Sequence, residues 1–264
     1  METPTPAQDH ATGESRLVEP PPVAQAAVFL DVDGTLVGHE DHPAAVHIDA
    51  ELRTLLQQLA AATSGAVALI SGRAIADIDG LFQPLRLAVA GQHGTERRSV
   101  DGSVHHHAPP ASRLHDHAGN LQRFVRQHAG LLLEEKGASL ALHYRHAPAL
   151  GPLVEGEARR VLALLGDEFE LQAGKFVYEL KPSGKDKGTA IAEFMQEAPF
   201  VGRRPVFIGD DLTDELGFAL VNRLGGYTVK VGAGATQAQW RLANAAAVRR
   251  WLAGLAASTG HRAG

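Results

Sequence analysis

Asp31 and Asp33 stand two residues apart in Asp31-Val32-Asp33-Gly34-Thr35, directly after the apolar run Ala27-Val28-Phe29-Leu30. A carboxylate can attack an electrophile such as phosphorus and split one hard displacement into two easier ones. A second carboxyl group nearby can give a proton to the leaving oxygen and later take one from water. Two carboxylates this close repel when ionised, which raises one pKa. That suits Asp33 as the acid, with a divalent cation holding Asp31 ionised. A second acidic stretch, Gly209-Asp210-Asp211-Leu212-Thr213-Asp214-Glu215, follows the apolar run Pro205-Val206-Phe207-Ile208. So many carboxylates on one strand end repel severely without a cation, and hard Mg²⁺ takes carboxylate oxygens.

Two further residues fit the same chemistry. Ser71 follows Val67-Ala68-Leu69-Ile70 and precedes Gly72-Arg73. A hydroxyl on a strand-to-helix turn, beside helix N-terminal amides, suits a phosphoryl oxygen. The bland alternative is that Ser71 merely caps the helix. Lys187 sits at a predicted helix start, where positive charge opposes the helix dipole, and a residue that breaks a local rule is often there for function. Lys181 and Lys185 compete for the same role, or are solvated.

These residues need a scaffold. Continuous apolar runs fit strands covered on both faces, as in a parallel sheet, and open α/β sheets bind ligands outside the carboxyl ends of their strands. The chain predicts buried strands at residues 27–30, 67–70, 87–90, 205–208 and 227–231, the last closing the strand set. Asp49 caps a helix with Leu52, Leu55, Leu56 and Leu59 on one face. A hairpin turns at Asp101-Gly102. Residues 109–180 change pattern to an α-β-β-α-β-β unit whose final hairpin turns at Ala173-Gly174. From Lys181 to Gly188, Pro and Gly exclude regular structure, and Trp240 to Leu255 reads as mainly helical.

The expected organisation is therefore an irregular tail at 1–22, a core from 23–108 and 181–264, and an inserted unit at 109–180. His39, His42 and His47, and the patch His105-His106-His107 with His115 and His117, read as solvated connector residues rather than metal ligands.

Net charge is −5, which argues against nucleic acid as the main partner. There is no cysteine, so disulfides and thiolate metal sites are excluded. No apolar run approaches the roughly 20 residues that span a bilayer. No signal-peptide pattern stands at the start, and the expected address is the cytoplasm. The sequence is silent on oligomeric state.

In this order the motifs resemble those of the haloacid dehalogenase superfamily: Asp31-x-Asp33-Gly34-Thr35 first, Ser71 second, Lys187 third and the acidic run from Asp210 fourth. The resemblance implies an α/β fold, with a doubly wound (Rossmann-like) parallel-sheet core and an inserted α/β cap domain of type 2. It also implies an aspartyl-phosphate mechanism, with Asp31 as nucleophile and Asp33 as acid and base. Mg²⁺ would sit on the carboxylates of Asp31 and Asp210 and the main-chain carbonyl of Asp33, with Asp211 and Asp214 completing or orienting that shell. Ser71 and Lys187 would hold phosphoryl oxygens.

A closer resemblance is to the trehalose-6-phosphate phosphatase family. It rests on Asp210-Asp211-Leu212-Thr213-Asp214-Glu215 followed by Phe218, Glu134-x-Lys136, His143-Tyr144-Arg145, and Lys175-x-x-x-Glu179-x-Lys181-Pro182. It implies Mg²⁺-dependent hydrolysis of a small-molecule sugar phosphate, trehalose 6-phosphate, with Glu134, Lys136, Arg145, Lys175 and Glu179 clasping sugar hydroxyls. The alternative for each of these five is a surface salt bridge, worth little to stability. Gln92 departs from the Glu that this family often has before His-Gly. Rival readings are another sugar phosphatase, such as one acting on sucrose phosphate, and an inactive phosphosugar sensor or regulatory partner of a synthase.

Overall fold

The first apolar run forms β1 (Ala26–Leu30), with every residue buried. Its neighbours explain why. Ala26, Val28 and Leu30 face one apolar cluster, and Ala27 and Phe29 face another. A strand with period-two alternation between two apolar clusters must be apolar throughout. The computed structural model describes residues 20–38, 46–107 and 112–258. Most of the expected tail, with His39 and His42, lies outside these residues.

After β1 come α1 (Ala50–Ala62), β2 (Val67–Ile70), α2 (Ile75–Phe82) and β3 (Ala88–Gly91), then the hairpin β4 (Glu96–Arg98) and β5 (Val104–His106). The inserted unit is α3 (Ser112–Arg126), β6 (Leu132–Glu135), β7 (Leu140–His143), α4 (Gly151–Leu165), β8 (Phe169–Gly174) and β9 (Val177–Pro182). The chain returns through α5 (Lys187–Phe194), β10 (Arg204–Gly209), α6 (Glu215–Arg223), β11 (Tyr227–Val231), β12 (Trp240–Leu242) and α7 (Ala245–Ala257).

The larger sheet runs β12-β11-β10-β1-β2-β3-β4-β5. It is parallel from β12 to β3 and antiparallel at the β4–β5 edge. Strand order reverses between β1 and β10, and such a switch point opens a crevice at the carboxyl ends of the strands. The smaller sheet, β6-β7-β9-β8, is wholly antiparallel. Its two faces differ. Leu140, Leu142, Phe169 and Leu180 pack with α3 and α4. The registered residues one position away, such as Ala141 and Glu179, point to the opposite face, which is therefore the polar one. This is a Rossmann-like α/β core with an inserted α/β cap. Among the described residues, no helix is long and apolar enough to cross a membrane.

Three local expectations are corrected. Trp240–Leu242 is strand β12, not helix, so β11 is not the last strand. Asn244 starts α7 because its side chain accepts from Ala247 N at 3.0 Å, and the Trp240 ring stacks on Tyr227 at 5.7 Å. Lys181 and Pro182 belong to β9, where Lys181 pairs with Glu170 of β8, so regular structure extends beyond Leu180. The β8–β9 turn falls at Lys175–Phe176 rather than Ala173-Gly174, with Phe176 carrying the positive φ of 61°.

Candidate active site

Asp31 follows the last residue of β1, Asp210 the last of β10 and Ser71 the last of β2, so the parallel strands deliver all three to one crevice. Asp31 N donates to Ile208 O at 3.0 Å, and Ser71 N to Ala90 O at 2.9 Å, which continues the strand register into the site. Gly34 turns the chain away at φ +86°, and a Cβ there would lie 2.3 Å from Asp210 Oδ2. Only glycine fits both the backbone and this close approach. Gly34→Ala is therefore expected to displace Asp210 and lower stability by about 1–3 kcal/mol, measurable as a drop in urea midpoint together with lost activity.

Lys187 opens α5 against the helix dipole, and its reach explains the exception. Its Nζ lies 2.7 Å from Asp31 Oδ1 and 2.6 Å from Asp214 Oδ1, all three buried. Burial alone would lower the Lys187 pKa, but Asp214 and Asp31 hold it above the ordinary lysine range. Lys181 instead donates to Lys185 O, and Lys185 pairs with Glu193, so neither competes for this position. Asp214 Oδ2 accepts from Asp210 N and Asp211 N, each at 2.9 Å. Asp214 thus folds the acidic loop onto the lysine. Asp211 caps the next turn through Leu212 N at 2.7 Å.

Asp31, Asp210 and Asp214 bring one oxygen each within 4.8 Å of one another. Burial pushes Asp31 up from its ordinary value, with Asp214 and Asp210 adding to the push and Lys187 opposing it. Asp31 is the buried member of the Asp31–Asp33 pair, and Asp33 is half-buried. Asp31 Oδ2 is buried without a hydrogen-bond partner among the described residues. The three carboxylates, with Asp31 Oδ2 left unpartnered, fit a hard divalent cation, since Lys187 offsets only part of their charge. Thr35 Oγ1 donates to Asp210 Oδ1 at 3.3 Å, which orients that side chain, and Lys230 donates to the main-chain carbonyl of Asp210.

Asp33 makes a bidentate pair with Arg73, at 2.7 Å to Nε and 2.8 Å to Nη2. Ser71 Oγ accepts from Arg73 N at 3.1 Å and lines the crevice. It does not cap α2, whose first amide, Ile75 N, donates to Glu96 Oε1 at 2.6 Å.

A cavity of about 640 Å³ separates this floor from the polar face of the smaller sheet. Glu134, Lys136 and Glu179 line its roof, with His143 and Gln172 beside them. Lys136 Nζ lies 3.3 Å from Glu179 Oε2, Ser139 Oγ donates to Glu179 Oε1 at 2.6 Å, and His143 Nε2 lies 2.9 Å from Glu134 Oε2. Burial would raise Glu179, but the His93 ring, Lys136 and the Ser139 hydroxyl outweigh it and hold the carboxyl well below its usual range. Burial likewise opposes the Lys136 charge, and Glu179 and Glu134 outweigh it. Arg145 and Lys175 are exposed and are not among the cavity-lining residues. Arg145 lies past the end of β7, and Lys175 sits at the tip of the β8–β9 turn.

Sequence reasoning gave no role to Arg73, His93, His143, Gln172 or Lys230. Arg73 was visible beside Ser71, but its partner Asp33 comes near only through the β1–β2 pairing. His105 and His106 are exposed, as expected, but they stand on strand β5 rather than in a connector, and His115 and His117 stand on α3, with His117 half-buried.

A sequence model of the trehalose-phosphatase family matches residues 29–246. The chain is 49% identical over 229 residues to the trehalose-6-phosphate phosphatase of Escherichia coli K12, covering 87% of this chain and 86% of that one. It is 41% identical over 234 residues to a probable trehalose-phosphate phosphatase of Sinorhizobium fredii, covering 87% of each. Among solved structures, a trehalose-6-phosphate phosphatase related protein superposes with TM-score 0.76 at 25% identity, over 89% of this chain and 99% of that one. The C-terminal domain of Candida albicans trehalose-6-phosphate phosphatase gives TM-score 0.78 at 22% identity, over 89% and 93%, a likeness of fold.

Proposed function

The chain belongs to the trehalose-phosphatase family, and on that premise we propose that it hydrolyses trehalose 6-phosphate to trehalose and inorganic phosphate at the crevice between β1 and β10. The observation that carries this reading is the pairing of two unlike surfaces. A floor of carboxylates and Lys187 faces a roof of Glu134, Lys136 and Glu179 across one cavity. Its volume falls in the range of about 300–1,000 Å³ usual for small-molecule sites.

In this account an oxygen of Asp31 attacks phosphorus. The phosphorus–oxygen bond to the sugar breaks as the new bond to Asp31 forms, and Asp33 gives its proton to the departing oxygen. Arg73 donates to both oxygens of Asp33, so Asp33 must release at least one of those contacts and take up a proton from solvent before it can pass that proton to the leaving oxygen. Water then attacks phosphorus, Asp33 takes its proton, and Asp31 is released as a carboxylate. Lys187 and Ser71 face the phosphoryl oxygens as charge develops. Asp31 and Asp210 would hold Mg²⁺ with the main-chain carbonyl of Asp33, Asp214 would orient that set, and Asp211 would brace the loop. The cation would supply charge neutralisation at the phosphoryl group.

Glu134, Lys136 and Glu179 suit sugar hydroxyls, because each offers several charged donors or acceptors. Arg145 and Lys175 are assigned to the sugar by the family resemblance, from the rim of the cap. The paired carboxylates and lysine favour catalysis over a sensor, which needs binding and no nucleophile.

Phosphate release from trehalose 6-phosphate, sucrose phosphate and glucose 6-phosphate tests the reading. Trehalose 6-phosphate is expected to lead in kcat/KM by at least about tenfold, which corresponds to roughly 1.4 kcal/mol of discrimination. Activity is expected to vanish in excess chelator and return with Mg²⁺. Equal rates on all three substrates, or full activity in chelator, contradict it.

A further inference from the structure

Gln92 and His93 take no part in the chemistry assigned above, yet both hold a left-handed backbone, at φ +47° and +56°. Consecutive non-glycine residues persist there only where the surroundings over-determine them. Here the backbone is tied to the core. Gln92 N donates to Arg73 O at 2.9 Å, and His93 N donates to Ser71 O at 3.0 Å. The side chains reach the other way, into the cap. Gln92 Oε1 accepts from Ala138 N at 2.9 Å, in the loop between β6 and β7 that also carries Lys136. His93 Nε2 lies 3.4 Å from Glu179 Oε2 on β9.

Glycines keep space for both side chains. A Cβ at Gly72 would lie 2.8 Å from His93 Nε2, and one at Gly137 would lie 3.3 Å from Gln92 Nε2. His93 is buried with Nδ1 unpartnered among the described residues. A buried polar atom left unsatisfied calls for an explanation in function or strain. Both ties cross from the phosphoryl-facing loop to the sugar-facing sheet.

We propose that Gln92 and His93 are positioning residues that set the register between core and cap, His93 by fixing the Glu179 carboxylate against Ser71 and Gln92 by anchoring the β6–β7 loop. The inference rests on the reading of trehalose 6-phosphate as substrate. Such a substrate must be held at both ends at once. The register then decides whether phosphorus stands before Asp31 when the sugar is seated. A small aryl phosphate is held only by the core and does not sense it.

The experiment compares kcat and KM on trehalose 6-phosphate and on 4-nitrophenyl phosphate. Q92A, H93A and H93N are each expected to lower kcat/KM on the sugar phosphate by roughly 10- to 100-fold, since misplacement by about an ångström costs rates of that order. The fall is expected in kcat as well as KM. Hydrolysis of 4-nitrophenyl phosphate is expected to stay within about twofold of wild type on the same argument. Asn tolerates the left-handed backbone better than Ala, so H93N guards against a folding defect. Gln92→Glu keeps an acceptor for Ala138 N and is expected to restore most of the activity lost in Q92A. Parallel losses on both substrates, unchanged turnover of trehalose 6-phosphate, or a Q92E as weak as Q92A would overturn the proposal. A wild-type enzyme active on the aryl phosphate and inert on trehalose 6-phosphate would instead overturn the substrate reading.

Discussion

Asp31→Asn is expected to lower turnover of trehalose 6-phosphate by at least about 10,000-fold, because removing a nucleophile removes the covalent route and leaves only binding and electrostatic assistance. The fold should survive the change. The amide has the shape of the carboxylate it replaces, Lys187 keeps its bond to Asp214, and burial already pushes Asp31 toward the uncharged form. Thermal unfolding of the variant should therefore match or exceed wild type. Steady-state phosphate release and a melting curve on the same preparation check both halves. A variant that melts like wild type and retains more than about a hundredth of its turnover would show that another residue takes the phosphoryl group, since triad-type nucleophile losses are far larger.

Lys187→Met should damage both stability and rate. It leaves Asp31 and Asp214 buried with no lysine between them. Removing one partner of a buried pair costs about 3–5 kcal/mol. For a chain of this size that is a fall of roughly 10 °C in melting temperature. Turnover should fall by about 100- to 1,000-fold or more, the usual effect of deleting one charge-stabilising donor. Added Mg²⁺ should recover part of the lost melting temperature, because a cation that binds only the folded state stabilises it by an amount that grows with the logarithm of its concentration above Kd. It should not recover turnover, since the lysine's place at the phosphoryl oxygens stays empty. Unchanged melting with unchanged turnover would place Lys187 outside the site.

What could be read in the sequence depended on how far each signal reached. The runs ending at Leu30, Ile70 and Ile208 are apolar on every residue because two apolar clusters cover them, so strand, sheet type and site position followed together. Asp31, Asp33, Ser71, Lys187 and Asp210 inherited their placement from those strands and from the turn at Lys187. Elsewhere the deciding contacts were remote. Phe176 adopts the positive φ that the sequence suggested for glycine, which moved the β8–β9 turn. Trp240 pairs with β11 and stacks on Tyr227, and no local periodicity reports either contact. Arg73 and His93 acquire roles only where the fold brings Asp33 and Glu179 to them. The cap list divided for the same reason. Glu134, Lys136 and Glu179 lie on cavity-facing positions of the antiparallel sheet or beside them, whereas Arg145 and Lys175 lie past strand ends, where alternation no longer sets direction.

The account turns on Asp31 as the residue that receives the phosphoryl group from trehalose 6-phosphate. A rapid acid quench of wild-type enzyme turning over phosphate-labelled trehalose 6-phosphate with Mg²⁺, followed by peptide mapping, measures this directly. The account predicts one labelled peptide, the one containing Asp31, and none from Asp31→Asn. Label on another residue during full turnover would contradict it.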